Sequence, residues 1–189
     1  MIVIEAAPGK TLPAASALGK RDLNRFLAEA AAALGLAGEV SVLLTGDEQL
    51  RAMNLQFRGV DKPTDVLSFP ALPEAANGGQ GGDLAISLET AAIQAADHGH
   101  TLQMEVKVLI LHGLLHLAGY DHERDRGQMR RRESQLRKQF ALPAGLVERT
   151  LVERTLVERR QPAAQRAAGV SRRSAKAVEP RRARRGGKP

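Results

Sequence analysis

A mixed fold of short strands and helices gathered around one buried helix is what this sequence predicts, and three observations carry that reading. Residues 101–118 hold Leu102, Val106, Leu109, Ile110, Leu114, Leu115 and Leu117 and are apolar nearly all round, the pattern of a central helix with no solvent face. Short apolar, often β-branched runs at 2–5, 40–45, 66–69 and 83–87 read as strands. Between them lie segments whose apolar residues recur at helical spacing.

In chain order, Ile2 to Glu5 is a strand, followed by a Pro/Gly/Ala-rich loop through Gly19. Asp22 is expected to cap a helix running to about Leu34, with Leu23, Phe26, Leu27, Ala30 and Leu34 inward. Val40 to Thr45 is a strand, and Asp47 caps a helix over Glu48 to Phe57 with Leu50, Met53, Asn54 and Phe57 on one face. Val66 to Phe69 is a short strand that Pro70 ends, because proline cannot donate to a ladder. The glycine-rich loop at 71–82 lacks the Lys-Ser/Thr of a phosphate-binding loop and reads as a plain connection. Asp83 to Ser87 is a strand and Leu88 to about Asp97 a helix. His98 and His100 fall in a polar break and read as surface residues. Glu123 to Phe140 reads as a basic helix with Met129, Leu136 and Phe140 inward, its Arg130-Arg131-Arg132 run a solvated face.

After Pro143 the character changes. Leu146-Val147-Glu148-Arg149-Thr150 recurs at 151–155 and, with Arg160 in place of Thr, at 156–160. A five-residue period winds Leu and Val around a helix without leaving one apolar stripe, so residues 143–160 are expected to be a helical low-complexity extension. Residues 161–189, rich in Ala, Arg, Gly and Pro, are expected to be a disordered basic tail. That leaves 1–142 as the folded domain.

The net charge of +7 is unevenly placed. Residues 1–122 hold 8 Lys/Arg against 14 Asp/Glu, residues 123–160 hold 11 against 6, and residues 161–189 hold 9 against 1. A basic excess confined to the C-terminal side favours a polyanion as partner, nucleic acid first. With no cysteine, disulfides are excluded and any metal must be held by nitrogen and oxygen. The N-terminus has too short an apolar run for a signal peptide, and no window suits a membrane span, so the expectation is a cytoplasmic protein without a membrane partner.

Three of the five histidines fall within His112-Gly113-Leu114-Leu115-His116-Leu117-Ala118-Gly119-Tyr120-Asp121-His122. His112 and His116 stack on one face of a helix. Gly119 can end that helix in a left-handed cap, after which His122 arrives as a third nitrogen donor. Three imidazoles with an open fourth position describe a catalytic zinc site better than a structural one. The spacing is also that of the metzincin peptidases, which carry Glu directly after the first histidine as general base. Here that position is Gly113, so peptide hydrolysis by that route loses its proton acceptor.

This motif resembles the signature of the YbeY family of bacterial rRNA-processing endoribonucleases. Asn54 with Phe57-Arg58, Thr64-Asp65-Val66-Leu67-Ser68-Phe69-Pro70, Gly82-Asp83-Leu84-Ala85-Ile86-Ser87, and the pair Met129 and Glu133 also agree with it. The likeness covers roughly residues 1–142. It implies an α+β fold in which a small mixed sheet is packed by helices with the metal-binding helix buried at its centre. It also implies a single-strand-specific, metal-dependent endoribonuclease of small-subunit (16S) rRNA 3′-end maturation and ribosome quality control. By position, His112, His116 and His122 become metal ligands for one Zn2+, or another divalent transition metal. Arg58 becomes the residue of catalysis and substrate binding, beside His116, because its guanidinium can donate two hydrogen bonds to phosphate oxygens. Asp121 is a candidate to orient a ligand histidine from behind. The implied partners are rRNA and the small ribosomal subunit, with ribosomal proteins or an Era-type GTPase. Two rival classes are a zincin-like metallopeptidase without the usual Glu and a non-catalytic, metal-stabilised ribosome-binding factor.

Overall fold

The computed structural model describes residues 1–6, 12, 15–71, 81–122 and 124–143. The extension expected after Pro143 and the basic tail at 161–189 lie outside the described residues, as does most of the loop at 71–82. The described chain runs β1 (Ile2–Ile4), a single 3-10 turn at Ala15–Ala17, α1 (Lys20–Ala33), β2 (Val40–Thr45), α2 (Asp47–Arg58), β3 (Val66–Pro70), β4 (Gly82–Ser87), α3 (Leu88–Asp97), α4 (Leu102–Leu117) and α5 (Gln128–Gln139). The four strands form one sheet in the order β1-β2-β4-β3. β1, β2 and β4 are parallel and β3 joins β4 antiparallel, so the sheet is mixed. No helix among the described residues is long and apolar enough to cross a membrane.

Period-two alternation along β2 and β4 divides the apolar residues between the two faces. Val42, Leu44, Leu84 and Ile86 pack with Leu23, Phe26 and Leu27 of α1, Leu88 and Ala91 of α3, Met129 and Leu136 of α5, and the length of α4. Leu50 of α2 packs in a separate, smaller cluster with Leu67 and Ala85, to which Leu43, Met53 and Phe69 are added. The apolar run at 101–118 is therefore the helix on which the larger core is built: Val106, Leu109, Ile110, Leu114 and Leu115 are fully buried. Burial of side chains of this kind contributes roughly 1.5–3 kcal/mol each. Thr101 accepts a hydrogen bond from Met104 N–H (3.2 Å) and fixes the start of α4.

Strand and helix identities match the sequence reading, whereas several ends do not. Asp22 and Asp47 are not caps: α1 begins after Gly19 and α2 after Gly46, neither start having a side-chain cap. Each carboxylate is drawn instead into a tertiary contact. Asp22 pairs with Lys107 (2.6 Å) and accepts from Gln103 (2.6 Å), tying α1 to α4. Asp47 accepts from Thr90 Oγ1 (2.6 Å) and from the Ser87 hydroxyl, tying α2 to α3. α5 begins at Gln128, five residues later than expected, because Asp125 collects the N–H groups of Gly127 (2.6 Å), Gln128 (3.1 Å) and Met129 (2.6 Å). Phe57 is 60% exposed, its ring edge-on to Phe69 at 5.1 Å. His100 is no surface residue either: its ring bonds to the fully buried carboxylate of Glu105.

Candidate metal centre

The site is assembled at the C-terminal end of α4. His112 and His116 lie one turn apart, and the helix stops just beyond them through two backbone bonds. Gly119 N–H donates to His116 O (3.0 Å) and Tyr120 N–H to Leu115 O (3.0 Å). With Gly119 at φ 85°, this is the Schellman pairing that lets a chain leave a helix and fold back over its last turn. The return brings His122 over the other two rings. Centroid separations are 4.9 Å for His112–His116, 5.7 Å for His112–His122 and 5.5 Å for His116–His122. One ring nitrogen from each lies within 4.8 Å of the others. His112 and His116 are partly buried and His122 is exposed, so the cluster opens to solvent on the side of the turn.

The donor set suits a divalent ion. His112 Nε2 and His116 Nε2 face each other at 3.2 Å. At Zn–N distances of about 2.0–2.1 Å, the edge of a tetrahedron is roughly 3.3 Å. The His116 imidazole is held below its ordinary pKa, first by burial and then by the neighbouring His112 and His122, with a backbone hydrogen bond at Tyr120 and the Asp121 charge pulling the other way. A depressed pKa keeps the ring neutral and its lone pair free for a metal.

On the side away from Nε2, His112 meets α5. Its Nδ1 is buried and has no hydrogen-bond partner among the described residues. Glu133 Oε2 stands 3.8 Å from that nitrogen, a charge contact longer than a hydrogen bond. Glu133 is 1% exposed, and its other oxygen accepts from Arg137 Nε (3.0 Å) and Nη2 (2.6 Å). Burial raises the Glu133 pKa, but the His112 imidazole and the Arg137 guanidinium outweigh it and hold the carboxyl at about 2. The sequence reading did not single out this group as part of the site. A signal was present: Glu133 lies at i+4 from Met129 and i−3 from Leu136, a charge on the apolar stripe of α5 with an arginine at i+4.

The linkage has a measurable sign. Glu133 binds its proton near pH 4.5 in the unfolded chain and near 2 in the folded one. Between those values the unfolded state carries more protons, so folding stability falls as pH drops through this window and is fully present above it. The shift corresponds to about 3 kcal/mol at most. Urea unfolding between pH 6 and pH 3 is expected to lose a large part of that amount. Flat stability down to pH 3 would contradict the ionised, paired Glu133.

Of the other candidates, Arg58 is exposed on the last turn of α2, an element distinct from those bearing the histidines. Asp121 lies on the return loop, 3.5 Å from Arg124. Asp65 anchors the turn into β3, accepting from Val66 N–H (2.8 Å) and Gln94 (3.1 Å). A cleft of about 480 Å³ is lined by Tyr120 and Asp121 of the return loop with Arg124 and Gln128; the three histidines are not part of its lining.

Gly113 explains how α4 can lie so close to the sheet. A Cβ at this position would stand 2.7 Å from Leu84 Cδ2 and 3.3 Å from Ser68 Oγ. The residue after the first histidine therefore faces β3 and β4, and a side chain there would have to displace the Leu84 and Ser68 side chains.

Residues 12–141 match the family model described as Endoribonuclease YbeY. The chain is 49% identical over 133 residues to the Endoribonuclease YbeY of Koribacter versatilis, covering 70% of this chain and 85% of that one. It is 53% identical over 108 residues to the Endoribonuclease YbeY of Solibacter usitatus, covering 57% and 69%. A solution structure of a Thermotoga maritima protein aligns with 31% identity and a TM-score of 0.47, covering 71% of this chain and 85% of that one.

Proposed function

This chain belongs to the YbeY endoribonuclease family, and from that premise we propose that it is a metal-dependent endoribonuclease. Its substrate is single-stranded RNA, at the 3′ end of the small-subunit rRNA, and it acts in the cytoplasm in ribosome maturation and quality control. The observation that carries this reading is the cluster of His112, His116 and His122, whose ring nitrogens lie within 4.8 Å of one another with His122 exposed. Zinc is the ion we assign, one per chain, because three imidazoles with one side open suit it. When bound, such an ion supplies Lewis acidity toward a phosphodiester and lowers the pKa of a water.

The protein's own groups supply the rest. The histidines are neutral donors, so they leave the ion's charge available to a phosphate. Arg58 binds non-bridging oxygens through its planar fork as negative charge builds on them. Phe57 and Phe69 meet edge-to-face rather than as parallel shelves, so substrate choice rests on charge and shape more than on base stacking. Docking to the small subunit, through ribosomal proteins or an Era-type GTPase, belongs to the same proposal.

Purified full-length protein loaded with zinc is expected to cut single-stranded RNA and leave casein whole. Arg58→Ala should lower cleavage roughly 100-fold at unchanged metal content, the size of effect seen when one transition-state donor is removed. Casein cleavage with RNA intact would establish the peptidase instead, and loaded protein that binds small subunits but leaves RNA whole would establish a non-catalytic factor.

A further inference from the structure

We propose that Glu133 is the positioning residue of the metal centre: it fixes the tautomer and orientation of His112 from the far side of the ring. This rests on the reading of the three histidines as ligands. His112 Nε2 points toward His116 Nε2 at 3.2 Å, so Nδ1 is the nitrogen turned away from the cluster. Among the described residues that atom is buried without a hydrogen-bond partner, and the group facing it is Glu133 Oε2 at 3.8 Å. An imidazole whose Nδ1 carries the proton presents its Nε2 lone pair to a metal, and an acceptor behind Nδ1 selects that tautomer. Closing the gap to a hydrogen bond requires a movement of about 1 Å.

The carboxylate is itself held in place. Oε1 takes two hydrogen bonds from Arg137, whose Nη1 donates to Pro143 O at 2.8 Å, and Arg137 is 3% exposed. Two buried charges thus neutralise each other through one oxygen and leave the second facing the histidine. Asp121, the candidate named from sequence, sits on the return loop with Arg124 at 3.5 Å, whereas Glu133 belongs to the packed face of α5 between Met129 and Leu136. On this arrangement the C-terminal helix is part of the metal site although it contributes no ligand.

Glu133→Gln alone leaves an amide oxygen that still accepts from His112 and upsets the charge balance with Arg137, so the informative variant is the full-length Glu133→Met/Arg137→Met pair, which removes both charges and the acceptor at similar total volume. Two readouts are taken, the zinc dissociation constant by chelator competition and the His112 tautomer in metal-free protein by long-range 1H–15N NMR. The double variant is expected to bind zinc about 10- to 100-fold more weakly. His112 should change from a single Nδ1–H tautomer to a mixture. Unchanged zinc affinity in a folded double variant, or an Nε2–H tautomer of His112 in the unaltered protein, would overturn the proposal. If the unaltered protein takes up no zinc, the metal reading itself fails. The tautomer still reports in that case: a single Nδ1–H form lost in the double variant supports the Glu133 contact, and any other result overturns it.

Discussion

Replacing Gly113 with glutamate, the residue a metzincin peptidase carries there, is expected to unfold the domain before it creates a peptidase. The first atom added, Cβ, would overlap Leu84 Cδ2 at 2.7 Å and press on Ser68 Oγ at 3.3 Å. Leu84 is 1% exposed within the core that β2 and β4 share with α4, so its methyl groups would have to shift against packed neighbours. Overpacking of this kind costs about 1–3 kcal/mol. The carboxylate beyond it would face the sheet without a cationic partner, and an unpaired buried charge adds several kcal/mol more or forces the group to take a proton. Against these, glycine's poor helix propensity returns only about 1 kcal/mol. A loss of more than about 3 kcal/mol is a large fraction of a typical domain's stability and should lower the melting temperature by roughly 10 °C or more. Thermal unfolding checks this, and a Gly113→Glu protein that melts with the unaltered one would mean that α4 does not lie on the sheet as described.

Gly113 also marks where the sequence stopped being informative. The missing glutamate was legible, and it removed the proton acceptor of the metzincin route while leaving a peptidase without it as a rival class. The reason for the glycine was not, because Leu84 and Ser68 are brought to it only by the pairing of β3 with β4 beneath the helix. The same division runs through the site. His112 and His116 share a helix face by local geometry, and a glycine three residues later announces the turn that returns His122. Those are short-range facts, readable from spacing. The approach of Glu133 to His112 spans 21 positions and depends on how α5 packs against α4, which periodicity does not encode. Asp22 and Asp47 failed as caps for a related reason: an aspartate before an apolar run is a cap signal, but Lys107 and Thr90 compete for the same oxygens once the helices pack. His100 reads as a surface residue from its polar surroundings alone because its partner Glu105 lies in the next helix. The strands and the buried α4 were legible because burial and strand alternation leave a mark on every residue of an element.

Changing any one of His112, His116 or His122 to alanine is expected to abolish high-affinity metal binding and, with it, RNA cleavage. The three nitrogens lie within 4.8 Å of one another, and the His112–His116 separation of 3.2 Å is already that of two ligands on one ion. Removing one leaves two donors and a cavity, an arrangement no catalytic zinc site uses. The loss should exceed the 10- to 100-fold change that follows removal of an orienting group behind a ligand. The variants will differ in their cost to the fold. His122 is exposed on the return loop, so His122→Ala should leave metal-free stability within about 0.5 kcal/mol. His112 is wedged between His116 and Glu133, and its removal leaves the Glu133 carboxylate facing an empty space. Metal binding to the folded state alone stabilises it by about 2.7 kcal/mol at a hundredfold excess over the dissociation constant. Added zinc should therefore raise the melting temperature of the unaltered protein and have no such effect on any of the three variants. This comparison separates loss of the ion from loss of the fold, because each variant is measured against its own metal-free form. A full zinc-dependent rise in all three variants would show that the histidines do not act as one site.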